Sequence, residues 1–154
     1  MKKIVLSFVF ICLVLSGCSK NDIVTKKVEL SELKATINKE VQWPKMMEVD
    51  SKLLKELFYL NEDMYDEVVG DVSVISTHAY ELIMVKAKEG KINDVKESIS
   101  HRLEDLEKTW STYLPEQYEL VKNAAKIEKG NYYFLIIHED AKEIEEIINE
   151  AFES

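Results

Sequence analysis

The sequence predicts an α+β fold: a four-stranded, largely antiparallel sheet built from two ββα units, with helices on one face and further helices ahead of it. Three observations carry this. Val68–Ser76 and Ala79–Ala87 are adjoining runs rich in β-branched and large apolar residues, and Ala125–Glu128 and Tyr132–His138 form a second such pair. After each pair, apolar residues recur every three or four positions, the period of a helix. Tyr80-Glu-Leu-Ile-Met-Val85 and Tyr132-Tyr-Phe-Leu-Ile-Ile137 hold the same place, second strand of a hairpin before a helix. A ββα unit used twice explains that likeness; chance similarity of two apolar strands explains it equally. A sheet with one apolar face needs one helical layer, and the two helices offer matching stripes.

The elements follow in order. Leu30, Leu33, Ile37 and Val41 share one helical face, with Ser31 as a candidate cap. Asp50 is a better start signal, just ahead of the stripe Leu53, Leu54, Leu57 and Phe58. Asn61–Asp66 is polar and turn-like. The first strand pair joins near Thr77-His78 and ends at Glu89-Gly90-Lys91. Ile92, Val95, Ile99, Leu103, Leu106, Trp110 and Tyr113 then mark a long amphipathic helix. Pro115 interrupts it; proline suits a first helical turn, so Glu116–Ala124 restarts as a shorter helix. Lys129-Gly130-Asn131 is a hairpin turn in which Gly130 takes a positive φ. Asp140 caps a last helix with Ile144, Ile147, Ile148 and Phe152 inward.

The N-terminus carries an address. Lys2 and Lys3 precede an apolar run, Ile4–Leu15, of twelve residues. As a helix it would rise about 18 Å, too short for a hydrocarbon core of about 30 Å. It therefore reads as a signal h-region. Leu15-Ser16-Gly17-Cys18 follows directly and resembles the lipobox of bacterial lipoprotein signals. That resemblance implies that Leu15, Ser16 and Gly17 are recognised by a signal peptidase. It also implies that the chain is cut between Gly17 and Cys18 and that Cys18 is lipidated through a thioether. Two acyl chains suffice for stable anchoring. The other cysteine, Cys12, would leave with the signal, so the mature chain would hold no disulfide and no thiolate metal site. The expected organisation is signal peptide 1–17, lipid-anchored tether 18–27 and a single α+β domain 28–154. As a flexible chain, the nine residues Ser19–Lys27 would span about 15–18 Å.

Charge is unevenly placed. The chain has 20 basic and 29 acidic residues. Residues 19–45 hold six lysines against Asp22, Glu29, Glu32 and Glu40, whereas residues 46–154 hold 12 basic and 25 acidic groups. A mildly basic stem suits an anionic bilayer, and the acidic remainder reads as a solvated surface. Nucleic acid is excluded as a partner by the sign of the charge and by the presence of a single arginine, Arg102.

No catalytic constellation is visible. His78, His101 and His138 lack metal-ligand spacing. The acidic clusters Glu62-Asp63/Asp66-Glu67 and Glu139-Asp140/Glu143/Glu145-Glu146 lack the pattern of a calcium loop, and the second reads as a helix start with its solvated face. There is no nucleophile elbow, and four glycines are too few for phosphate-cradling loops. Trp110, Tyr113, Tyr118, Tyr132, Tyr133 and Phe134 are either a stacking surface for sugars or peptides or core; the helical spacing of Trp110 and Tyr113 favours core.

Four segments together resemble one family: Tyr113-Leu-Pro-Glu-Gln-Tyr-Glu-Leu-Val-Lys-Asn-Ala124, Lys129-Gly-Asn-Tyr132, Glu139-Asp-Ala141, and the Ile92–Leu106 helix with its Arg-Leu-Glu-Asp. The family is DUF4358, lipoproteins of Gram-positive Firmicutes, and the likeness covers about residues 50–153. It implies a small lipid-anchored α/β domain on the outer face of the membrane. It assigns no activity and no catalytic residue. By association alone it points to a partner among membrane-bound O-acyltransferases of envelope polymers. The expectation is therefore a non-catalytic binding or accessory lipoprotein with no cofactor and no metal. It would be held to lipid through Cys18 and engage a membrane protein or envelope polymer. The alternative is a small envelope enzyme using a histidine with a carboxylate. No residue pattern sets an oligomeric state.

Overall fold

The computed structural model describes residues 26–153. Leu15, Ser16, Gly17, Cys18 and the tether as far as Thr25 lie outside the described residues. The elements are α1 (Leu30–Glu40), β1 (Met46–Glu48), α2 (Ser51–Leu57), β2 (Tyr65–Ser73), β3 (Glu81–Ala87), α3 (Ile92–Trp110), α4 (Pro115–Lys122), β4 (Ala125–Lys129), β5 (Tyr132–Ile137) and α5 (Ala141–Glu153). The strands form one antiparallel sheet in the order β1-β2-β3-β5-β4.

Local chemistry accounts for most boundaries. Asp50 Oδ1 accepts the Leu53 N–H at 2.8 Å and starts α2. α1 starts without Ser31: the Leu30 N–H donates to Glu67 Oε1 on β2 at 3.1 Å, so a carboxylate from the sheet satisfies an open donor of the helix. Pro115 opens α4 at its first turn. Gly130 turns the β4–β5 hairpin with φ 61°. After α2 the chain reverses through Tyr59 at φ 58°, a left-handed position that usually favours glycine. Tyr59 is held there by its carbonyl, which accepts Ser98 Oγ at 3.1 Å, and by its phenol, bonded to Asp105.

The sheet differs from the expected one in three ways. It has five strands, not four, because Met46–Glu48 pairs with Asp71–Ser73 and extends the edge of β2. Helices cover both faces, not one. Leu54, Phe58, Val95, Ile99, Leu103, Trp110 and Val121 pack on Ile83, Val85, Tyr133, Leu135 and Ile137. Leu30, Leu33, Ile37, Ile144 and Ile148 pack on Leu82, Met84, Tyr132, Phe134 and Ile136. The cause is in β3 and β5, which are apolar on both sides and so need cover on both. The two hairpin-plus-helix units are also not symmetric copies. β3 and β5 pair antiparallel about Ile83 and Leu135. A two-fold axis through that point, normal to the sheet, would keep both helices on one face; α3 and α5 instead lie on opposite faces.

Two tertiary ties join parts of the chain far apart in sequence. The chain joins the body at Val28, whose N–H donates to Tyr132 Oη at 3.2 Å and whose carbonyl accepts the same hydroxyl at 3.3 Å. Arg102 grips Glu81 with two hydrogen bonds, from Nε to Oε2 at 3.1 Å and from Nη2 to Oε1, and its guanidinium lies over the Phe58 ring. Burial pushes the Glu81 carboxyl above the usual range, and Arg102 opposes that shift.

Candidate functional site

Polar and aromatic side chains meet where β3 begins and β5 ends. The β2–β3 turn brings His78 and Tyr80, the end of β5 brings His138 and Glu139, and the α1–β1 turn brings Trp43. The rings form a row. Tyr80 lies 5.6 Å from His78 and 5.1 Å from His138, and His138 lies 4.4 Å from Trp43, centroid to centroid. Two of the three histidines thus flank one tyrosine, whereas His101 stands apart on α3, exposed, 5.8 Å from the Tyr59 ring.

His138 is buried and fully used. Its Nδ1 accepts the Asp140 N–H at 2.9 Å and so carries no proton; its Nε2 carries the proton and donates to the Gln42 carbonyl at 3.0 Å. It ties the end of β5 to the α1–β1 turn. The nearest Asp140 carboxylate oxygen is 3.8 Å from Nδ1, beyond hydrogen-bond reach. His78 is half-buried, and its Nδ1 is buried without a partner among the described residues. Beside it, Thr77, Leu114, Pro115 and Gln117 line a cleft, and Gln117 Oε1 accepts the Ala79 N–H at 2.8 Å. The Tyr80 phenol donates to Glu139. Burial first, then that bond and the charges of Glu139 and Asp140, push its pKa up to about 12.

The predicted acidic clusters do not converge on a cation. No group of three or more His, Cys, Asp or Glu side chains with metal-holding geometry occurs among the described residues. Glu67 serves the start of α1. Glu143, Glu145 and Glu146 face solvent on α5. Of the six aromatic residues singled out in the sequence, Trp110, Tyr132, Tyr133 and Phe134 are core, Tyr118 is half-buried against it, and Tyr113 is exposed.

A second feature, beside the row of rings, was not expected from the sequence. Between α1, the α1–β1 turn and β1 runs a groove of about 600 Å³, lined by Lys34, Asn38, Gln42, Trp43, Glu48 and Asp71 among others. Lys34 Nζ sits 2.9 Å from Asp71 Oδ1 and 3.4 Å from Glu48 Oε1. The available signal was Trp43-Pro44, a large aromatic residue inside an otherwise polar turn.

Among the described residues no helix is long and apolar enough to cross a membrane. No curated protein and no solved structure shows significant similarity to this chain. A family model does match, a domain of unknown function (DUF4358), over residues 39–138. The match starts earlier than the expected residue 50 and stops at His138, so Glu139-Asp-Ala141 and α5 fall outside it. It takes in all five strands and the whole row from Trp43 to His138, and on that extent the chain belongs to the DUF4358 family.

Proposed function

We propose that this protein is a lipid-anchored binding or accessory module on the outer face of the membrane in Gram-positive Firmicutes, performing no chemistry of its own. The observation that carries the reading is His138. It is the only one of the three histidines that is fully buried, and both of its nitrogens hold backbone groups, which makes it a structural clasp and not a proton carrier. Leu15-Ser16-Gly17-Cys18 supports anchoring through Cys18 after a signal peptide of residues 1–17. The partner class that fits is a membrane protein or envelope polymer, with a membrane-bound O-acyltransferase of such polymers as the specific candidate.

Two experiments test this. Cys18→Ala should abolish incorporation of a fatty-acid probe and release the domain from membranes; equal label on both forms would sink the anchoring. In a deletion strain, His78→Ala and His101→Ala should complement fully, and Cys18→Ala should not. A stably folded His78 or His101 variant that mimics the deletion would replace this reading with that of a small envelope enzyme using a histidine.

A further inference from the structure

We propose that the groove beside α1 binds a neutral saccharide, with the Trp43 indole as the stacking platform. The proposal rests on the binding-module reading and names its ligand class.

Trp43 is half-buried and lines the groove while its ring also meets His138. Its Nε1 is buried and has no partner among the described residues, which is costly for a buried donor. Phenylalanine would pack beside His138 without that cost. What sets Trp43 apart from Trp110, whose indole N–H is likewise unpartnered in the core, is that it lines an open groove, where the C–H groups of a sugar ring, which carry partial positive charge, favour a broad, electron-rich face.

The polar groups fit the same ligand. Lys34 and Lys39 balance Glu48 and Asp71, so the groove lacks the single sign of charge that an ionic ligand would select. Asp71 is only 9% exposed and is held by Lys34, which fixes a donor and an acceptor in place. The side chains of Asn38 and Gln42 are exposed and make no hydrogen bond among the described residues. Each amide offers donors and an acceptor, the complement of a hydroxyl.

The test uses the full chain in detergent, labelled with nitrogen-15. Its two tryptophans give two indole N–H signals, assigned with Trp43→Phe. The probes are a β-1,4-linked N-acetylglucosamine tetramer, maltotetraose and, as an ionic comparison, inorganic phosphate. At least one tetrasaccharide should move the Trp43 signal saturably and leave Trp110 in place. Asn38→Ala with Gln42→Ala, both exposed, should weaken that binding at least about fivefold. No saturable movement with either sugar up to about 10 mM would overturn the proposal. So would equal movement with phosphate, or unchanged affinity in the double variant. Such a failure is separate from the module reading, which is read from membrane attachment and complementation.

Discussion

Tyr132→Phe removes one oxygen that holds both backbone groups of Val28. Tyr132 is 2% exposed and Val28 7%, so neither freed group meets bulk water unless the segment lifts away. Two net hydrogen bonds contribute about 1–3 kcal/mol, and leaving buried backbone groups unmade costs a similar amount. Local lifting recovers part of this, so the expected loss is about 2–3 kcal/mol. For a domain of this size that is a fall in Tm of about 6–12 °C. Tyr133→Phe is the control. Tyr133 is also buried, but its hydroxyl makes no hydrogen bond among the described residues, so Tyr133→Phe loses no such bond and should cost well below Tyr132→Phe. Urea melts of the full chain in detergent measure both. Limited trypsinolysis adds a local readout, because cleavage after Lys26 and Lys27 should speed up in Tyr132→Phe alone. Equal stability of the two variants would refute the reasoning that Val28 is pinned through this hydroxyl.

Three further outcomes are expected. Trp110→Ala should cost about 3–5 kcal/mol in urea melts, because this 6% exposed ring fills the layer between α3 and the sheet. Trp110→Phe should cost much less, since the indole N–H has no partner to lose. Gly70→Ala should be strongly destabilising by the same assay, because a Cβ there would overlap the Leu82 carbonyl oxygen and Ile83 Cδ1 on the paired strand. Tyr80 has a folded pKa raised from 10.0 to about 12, so its contribution is complete below pH 10 and lost as pH rises toward 12. Stability measured across that window should fall in the wild type and fall less in Tyr80→Phe.

Elements written in local chemistry were legible from the sequence. The Asp50 cap, the Pro115 restart, the Gly130 turn and the stripe of α3 as far as Trp110 each depend on neighbours within a few residues, and each stands where the pattern put it; Tyr113, the last expected member of that stripe, lies past the helix end and is exposed. β1 was not legible. Three residues are too few to show alternation, and Met46–Glu48 is a strand only because β2 offers it an open edge. The start of β2 was hidden for a related reason. Tyr65-Asp66-Glu67 looks like a turn, but the register shifts there by a bulge, and Glu67 is occupied with the start of α1. The two-sided cover of the sheet was written in Tyr132–Ile137, where every residue is apolar and buried. An unbroken run of that kind marks a strand with two packed faces, which a ββα duplication with helices on one face does not allow for. The row of rings spans nearly a hundred residues of sequence, from Trp43 to His138, and no local period encodes it.

The geometry also constrains where a partner would stand under the proposed anchoring. The chain joins the body at Val28, against the first residue of β5, whereas His138 and Trp43 lie just past the last residue of β5 and the end of α1. Six strand residues extend about 20 Å, and eleven helical residues about 16 Å. A lipid on Cys18 would therefore hold the Val28 end toward the bilayer and present the Trp43 groove and the His78–Tyr80–His138 row at the far end. A ligand reaching those groups from outside need not compete with lipid headgroups. A membrane-embedded partner would have to reach up with an extramembrane loop. Fluorophores placed one at a time at Thr77 and at Lys129, which lie toward opposite ends of the sheet, separate the two arrangements. Quenching by a labelled headgroup in vesicles carrying the lipidated protein should be stronger at Lys129 than at Thr77, and the reverse order would place the groove against the membrane.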